Sequence, residues 1–292
     1  MSTPLLVVGH GTKDPDGVED FLGLVERTRA RLTSGTPVPT HGGFIELSAP
    51  PLTDAVEQLW ANGHRHVAAV PLVLVGAGHA KGDIPGAMTR EMVRRPGLSY
   101  VYGRPLGPHP ILLDLLAERI DEALAGAPRK GTTVLLVGRG SSDPDANAEV
   151  AKTSRLLWEG RDYDGVETCF VSLAGPDVAG GLERARLLGA GRVVVAPYFL
   201  FRGVLPERVA TQSQEWAAQH VGVDVRVARV LGDCDALAEL VVQRYHEALG
   251  GDLRMNCDTC VYRAPMPGFE RLVGAPQTPH DHPDDPTHGH GH

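Results

Sequence analysis

At 292 residues the chain is long enough for about two domains or one doubled unit. Its formal net charge of −8 argues against nonspecific nucleic-acid binding. Its apolar runs are strand length, far short of the roughly 18 residues that span a bilayer. The start has no basic stretch ahead of an apolar core, so no signal peptide is expected. The cysteines (Cys169, Cys234, Cys257 and Cys260) are too sparse for a disulfide scaffold and fit a reduced, cytoplasmic protein.

The first predicted element is the run Leu5-Leu6-Val7-Val8, which leads into Gly9-His10-Gly11-Thr12-Lys13. A continuous apolar run ahead of a polar helix reads as a buried parallel strand. Ligands of open parallel sheets bind beyond the carboxyl ends of such strands. Gly9 and Gly11 permit a sharp turn that projects the His10 imidazole there. The alternative is a strand-end histidine hydrogen-bonded to a neighbouring loop.

Asp14-Pro15-Asp16 opens a helix whose apolar stripe is Phe21, Leu24, Val25, Thr28 and Leu32. A second strand ends at Gly43-Phe44-Ile45-Glu46. Ser48-Ala49-Pro50-Pro51 starts a helix through Val56, Leu59 and Trp60, stopped by Asn62-Gly63. A third strand covers residues 66–73, followed by a glycine-rich loop over 76–85 containing His79. A helix through Met88 and Val93, a strand at 100–102 and a helix over 110–124 complete the pattern. Strands alternating with helices predict an α/β fold with a parallel sheet.

Near residue 130 the pattern restarts. Residues 133–144 track 5–15, residues 169–176 track 43–50, and residues 191–198 track 64–72. Three landmarks in the same order predict an internal duplication. The expected parts are an N-terminal half over 1–127, a C-terminal half over 131–250, and a flexible tail over 251–292, whose composition cannot support a packed core. Where the first half has His10, the second has Arg139, and Glu46 is matched by Ser172. No histidine answers His79 in residues 199–206. The glycines, prolines and apolar runs shared by the halves are what the fold needs. The three ionisable strand-end residues occur once, which predicts a single site in the first half.

Gly76-Ala77-Gly78-His79-Ala80-Lys81-Gly82 departs from the spacing of a dinucleotide fingerprint, and no G-x-x-x-x-G-K-[ST] phosphate loop is present. No ATP and no nucleotide are therefore expected. His10, His79 and Glu46 offer two imidazoles and a carboxylate. Such a set suits a divalent Fe²⁺, Co²⁺ or Ni²⁺ ion and proton removal near neutral pH. In the tail, Cys257-x-x-Cys260 supplies half of a typical zinc or iron–sulfur ligand set, and His280, His282, His288, His290 and His292 are candidate weak metal ligands.

The His10-Gly11-Thr12 turn, the block Gly43-Phe44-Ile45-Glu46-Leu47-Ser48-Ala49-Pro50-Pro51, the Pro71-Leu72 strand end and the Gly78-His79-x₃-Asp83-Ile84-Pro85 loop resemble the sirohydrochlorin chelatases. These are class II tetrapyrrole chelatases that make precursors of cobalamin or sirohaem. The duplication resembles the large form of that family, and covers about residues 3–250. The resemblance implies two flavodoxin-like, chelatase-like α/β halves, each a parallel sheet with helices on both faces. It implies an ATP-independent lyase inserting Co²⁺ or, as an alternative, Fe²⁺ into sirohydrochlorin. His10 and His79 would hold the metal and help remove pyrrole protons, with Glu46 assisting as base or ligand.

Sirohydrochlorin is a polycarboxylate, and by loop position Lys13, Lys81, Arg90 and Arg104 are the candidate anchors for it. Met255-x-Cys257-x-x-Cys260 is similar to a segment that holds a [4Fe–4S] cluster in long cobaltochelatases, and a homodimer through the tail is a further expectation. Nucleic-acid and membrane partners are not expected. A different reading is a metal storage or delivery protein that uses the tail.

Overall fold

The computed structural model describes residues 2–33, 37–251, 262 and 270–275. In chain order it begins with β1 (Leu5–Gly9), α1 (Pro15–Arg31), β2 (Thr40–Phe44), α2 (Leu52–Ala61) and β3 (His66–Pro71). A five-residue π-turn, His79–Asp83, leads into α3 (Ile84–Arg94), β4 (Ser99–Tyr102) and α4 (Pro110–Leu124). The second series is β5 (Thr133–Gly138), α5 (Pro144–Trp158), β6 (Gly165–Phe170), α6 (Val178–Leu187), β7 (Arg192–Pro197), α7 (Val204–Gln219), β8 (Asp224–Val227) and α8 (Asp235–Gly250).

Two four-stranded sheets result, ordered β2-β1-β3-β4 and β6-β5-β7-β8. Every pairing within them is parallel. The duplicated α/β halves expected from the sequence are those observed. β1 is buried along its whole length because both sheet faces are covered, which is why its sequence does not alternate. Leu6 and Val8 pack with Leu52, Val56 and Leu59 of α2 and Ile84 and Met88 of α3. On β2, a side chain at Gly42 would meet Phe21 and Val25 of α1, whereas one at Gly43 would meet Leu52 of α2. Neighbouring strand residues thus face opposite helix layers. Asp14 caps α1 through the Asp16 and Gly17 N–H groups with Pro15 in the first turn, so the helix starts where the sequence predicts.

Strand ends differ slightly from expectation. β2 stops at Phe44 and β3 at Pro71, yet backbone pairing runs on: Ile45 N–H donates to Gly9 O (3.0 Å) and Leu72 N–H to Val8 O (2.8 Å).

The compact units do not coincide with the repeat. Described residues of Met1–Leu106 and Leu237–His292 form one unit, and Gly107–Ala236 form the other. The boundary expected at 127–131 divides the repeat, while α4 belongs to the second unit and α8 to the first. A matched set of charges explains this exchange. On α8, buried Arg244 donates to Pro105 O (2.9 Å) and Leu106 O (2.6 Å), while Glu247 accepts a two-pronged bond from Arg104 (2.8 Å each). On α4, buried Arg119 donates to Leu231 O (3.0 and 3.2 Å), while Glu122 accepts from Arg229 (2.6 and 2.9 Å). An Arg and a Glu three residues apart share one helix face. In each unit they meet an R-x-L-G segment, Arg104–Gly107 or Arg229–Gly232. The Arg104 bond holds the Glu247 carboxyl down at about 2.

The first unit also carries a charged clamp between α2 and α3. Glu91 is 1% exposed; it binds Arg94 Nη1 at 2.5 Å, accepts a bond from Thr53 Oγ1 at 2.9 Å and contacts Arg95. Arg95 in turn reaches Glu57 (2.6 Å). At the matching positions of the second unit stand Gln212, Trp216 and Glu183, and Gln212 Oε1 is buried without a hydrogen-bond partner.

Candidate active site

In the first sheet the chain crosses from β1 to β2 on one side and lies in β3 on the other, so a topological switch point falls between β1 and β3. His10 follows β1, Glu46 follows β2 and His79 follows the β3 segment. Glu46 N–H donates to His10 O (3.1 Å), which aligns the two side chains. Gly11 lies in the left-handed region at φ +112°, and a Cβ there would sit 1.8 Å from Glu46 O. Only glycine lets the two loops approach so closely. Ser48 Oγ completes the joint by accepting from Thr12 N–H (2.8 Å) and donating to Thr12 O (2.5 Å).

The side chains converge. His10 Nε2 lies 2.9 Å from Glu46 Oε1, and the His10 and His79 rings meet edge-on with centroids 3.9 Å apart at 86°. His79 Nδ1 lies 2.5 Å from Asp83 Oδ2. The pairs grade from open to closed: side-chain exposure is 26% for His10, 15% for Glu46, 12% for His79 and 3% for Asp83. The π-turn that carries His79 and Asp83 is closed by Ile84 N–H donating to His79 O. It is braced by Tyr102 of β4, whose hydroxyl donates to Ala80 O (2.9 Å). Burial, with smaller contributions from Tyr100 and the Asp83 charge, pushes the Tyr102 hydroxyl well above its ordinary pKa, so it stays a donor. Two imidazoles, each backed by a carboxylate, can accept protons and offer nitrogen ligands.

Sequence reasoning therefore chose three residues that the fold brings together. Among the described residues, no three His, Cys, Asp or Glu side chains stand as a ready metal cage, and the donors are paired with one another instead. Asp83 was not assigned a role from sequence, although its i,i+4 spacing from His79 was readable. Lys13 is exposed beside the His10 turn, and Lys81 lies within the π-turn. Arg90, on α3, has its Nε and Nη2 buried without a hydrogen-bond partner. Arg104 is engaged with Glu247, and the second unit repeats that pair with Arg229 and Glu122. Cys257, Cys260, His280, His282, His288, His290 and His292 lie outside the described residues. Cys169 is a core thiol of β6 that burial pushes up to about 12, which leaves it inert as a ligand.

Duplicated parallel α/β units, one with paired imidazoles and carboxylates beyond its switch point, define a protein of the chelatase class. The CbiX family model matches residues 4–123 and again 133–248, and the chain belongs to that family. It is 36% identical to a sirohydrochlorin cobaltochelatase from Priestia megaterium over 89% of this chain and 84% of that protein. It is 32% identical to a sirohydrochlorin ferrochelatase of the same organism, over 81% of this chain and 87% of the relative. Among solved structures, SirB from Bacillus subtilis with Fe³⁺ superposes with a TM-score of 0.75 at 29% identity, covering 86% of this chain and 98% of SirB. SirB from B. subtilis subspecies spizizenii in complex with cobalt gives a TM-score of 0.69 at 25% identity, over 86% of this chain and 97% of SirB. No helix among the described residues is long and apolar enough to cross a membrane.

Proposed function

We propose that this chain inserts a divalent metal into sirohydrochlorin without ATP, with Co²⁺ favoured over Fe²⁺. The single observation that carries this reading is the convergence of His10, Glu46 and His79 at the switch point of one unit only. Family membership supports the reaction. The preference for cobalt is supported by the higher identity to the cobaltochelatase, 36% against 32%.

Metal insertion replaces two pyrrole N–H protons by one dication, so a site needs two proton acceptors as well as ligands. His10 and His79 fill both roles in turn. Each imidazole first offers its lone pair to the incoming metal. As the metal passes to the macrocycle nitrogens, each imidazole takes one of the departing protons. Glu46, 2.9 Å from His10, stabilises the imidazolium so formed and orients the ring. Substrate carboxylates are assigned to Lys13, Lys81 and Arg90; the buried, unpartnered guanidinium nitrogens of Arg90 support the last. The reaction is assigned to the cytoplasm. A [4Fe–4S] cluster on Cys257 and Cys260, and a dimer through the tail, enter no step.

The test is an anaerobic assay of the purified protein with sirohydrochlorin and competing Co²⁺, Fe²⁺ and Ni²⁺, followed by the absorbance change of the tetrapyrrole. Turnover with Co²⁺ fastest is expected. No metallation above the spontaneous rate with any of the three overturns the assignment.

A further inference from the structure

Asp83 ends the π-turn with helical backbone (φ −64°, ψ −48°), so the chain runs straight on into α3. From inside that helical run its side chain makes no cap bond to α3. Asp14, Asp143 and Asp177, by contrast, precede α1, α5 and α6 with extended backbone, and each accepts from the backbone of the helix it precedes. The Asp83 carboxylate instead meets His79 Nδ1 at 2.5 Å and is 3% exposed. A carboxylate this buried against an imidazole points to a role on the imidazole.

The comparison within the chain supports the same conclusion. The stretch from Pro71 to Pro85 is five residues longer than its counterpart from Pro197 to Pro206. The π-turn His79–Asp83 is itself five residues. Aligned on the helix prolines, Asp83 is matched by Val204, which is 57% exposed, and α7 there begins from Gly203 with no side-chain cap. The unit that lacks the imidazole lacks the insertion and the buried acid with it. Isolated π-turns recur at functional positions for this reason: an inserted turn re-aims a side chain.

We infer that Asp83 is a positioning residue that fixes the tautomer and orientation of His79. This inference rests on the proposed role of His79 above. An ionised carboxylate can only accept, so its bond to Nδ1 keeps the proton there and leaves the lone pair on Nε2, the nitrogen that meets metal. The wide π-turn, braced by Tyr102 at Ala80 O, holds acid and ring on one side of the backbone.

The test combines ring spectroscopy with kinetics on the full chain. In the wild type, long-range ¹H–¹⁵N correlation of the histidine rings is expected to show His79 as the Nδ1–H tautomer. In D83N, whose amide can donate to Nδ1, the ring is expected to move toward Nε2–H. The same variant is expected to lose about 10- to 100-fold in kcat/KM for Co²⁺, with KM for sirohydrochlorin unchanged and partial recovery in D83E. An Nε2–H ring in the wild type, or D83N with wild-type metal kinetics while H79A is inactive, overturns the inference alone. H79A with full activity overturns the reading of His79 on which it rests. Should D83N fail to fold, the wild-type spectrum still decides.

Discussion

The two units are built from the same parts, and set side by side they separate what folds the chain from what acts. Gly11 and Gly140 sit in the same left-handed turn, at φ +112° and +87°. A side chain on either would strike the carbonyl of the neighbouring loop, Glu46 O at 1.8 Å or Ser172 O at 1.7 Å. Phe44 N–H donates to Pro50 O in one unit, and Phe170 N–H to Pro176 O in the other, both at 2.9 Å. The joint is therefore a property of the fold. On it the first unit mounts His10 and Glu46, and the second mounts Arg139 and Ser172. The proposed site is thus a set of substitutions and one inserted turn on an otherwise repeated frame.

The largest effect that sharpens this contrast is on turnover. His10→Ala or His79→Ala is expected to lower metal insertion by about 10²- to 10⁴-fold, the range for removing a positioned acid–base group. Arg139→Ala and Ser172→Ala should leave it unchanged. Absorbance assays on the four variants check this.

Next comes the helix that follows the π-turn. Glu91→Ala leaves Arg95 buried beside one fewer carboxylate and is expected to cost about 3–5 kcal/mol in denaturant unfolding. Gln212→Ala, at the matching place, removes an acceptor that has no partner and should cost about 1 kcal/mol or less. Equal losses would show that the charged clamp does not hold α3 more firmly than α7 is held.

Gly11→Ala and Gly140→Ala should be destabilising alike, by about 1–3 kcal/mol each, because both enforce a strained backbone and a clash. Only Gly11→Ala should also lower turnover, through the displaced His10 and Glu46.

The smallest effect is on acid tolerance. Glu247 is held at about 2, chiefly by its bond to Arg104, below the ordinary carboxylate value. Its contribution to stability is thus fully present above about 4.5 and lost as pH falls toward 2. Glu122 is lowered in the same direction, chiefly by Arg229. Glu247→Gln should flatten the acid limb of a stability-versus-pH curve, and an unchanged limb would show that the pair does not pin α8.

Much of this frame was readable in the sequence, for physical reasons. Parallel strands buried on both faces leave continuous apolar runs, so β1, β3, β5 and β7 announce themselves. The repeat then made His10, Glu46 and His79 conspicuous by their absence from the second half. The exchange of α4 and α8 was not readable, because Arg119–Glu122 and Arg244–Glu247 look like ordinary helix-surface charges until their partners are known. The Glu247 partner of Arg104 was not readable for the same reason: a loop arginine shows its charge in a sequence but not what it pairs with. The π-turn was hidden because the glycine-rich stretch over 76–85 read as loop, and in a loop the i,i+4 spacing of His79 and Asp83 implies no contact.

The claim that one unit alone does the chemistry is tested most directly by a single comparison of rates. Anaerobic metallation of sirohydrochlorin by Co²⁺ is measured for the wild type, for the His10→Ala/His79→Ala double variant and for the Arg139→Ala/Ser172→Ala double variant. The account predicts that the first double variant falls to the spontaneous rate while the second matches the wild type. A first variant that still turns over, or a second that fails while remaining folded, would contradict it.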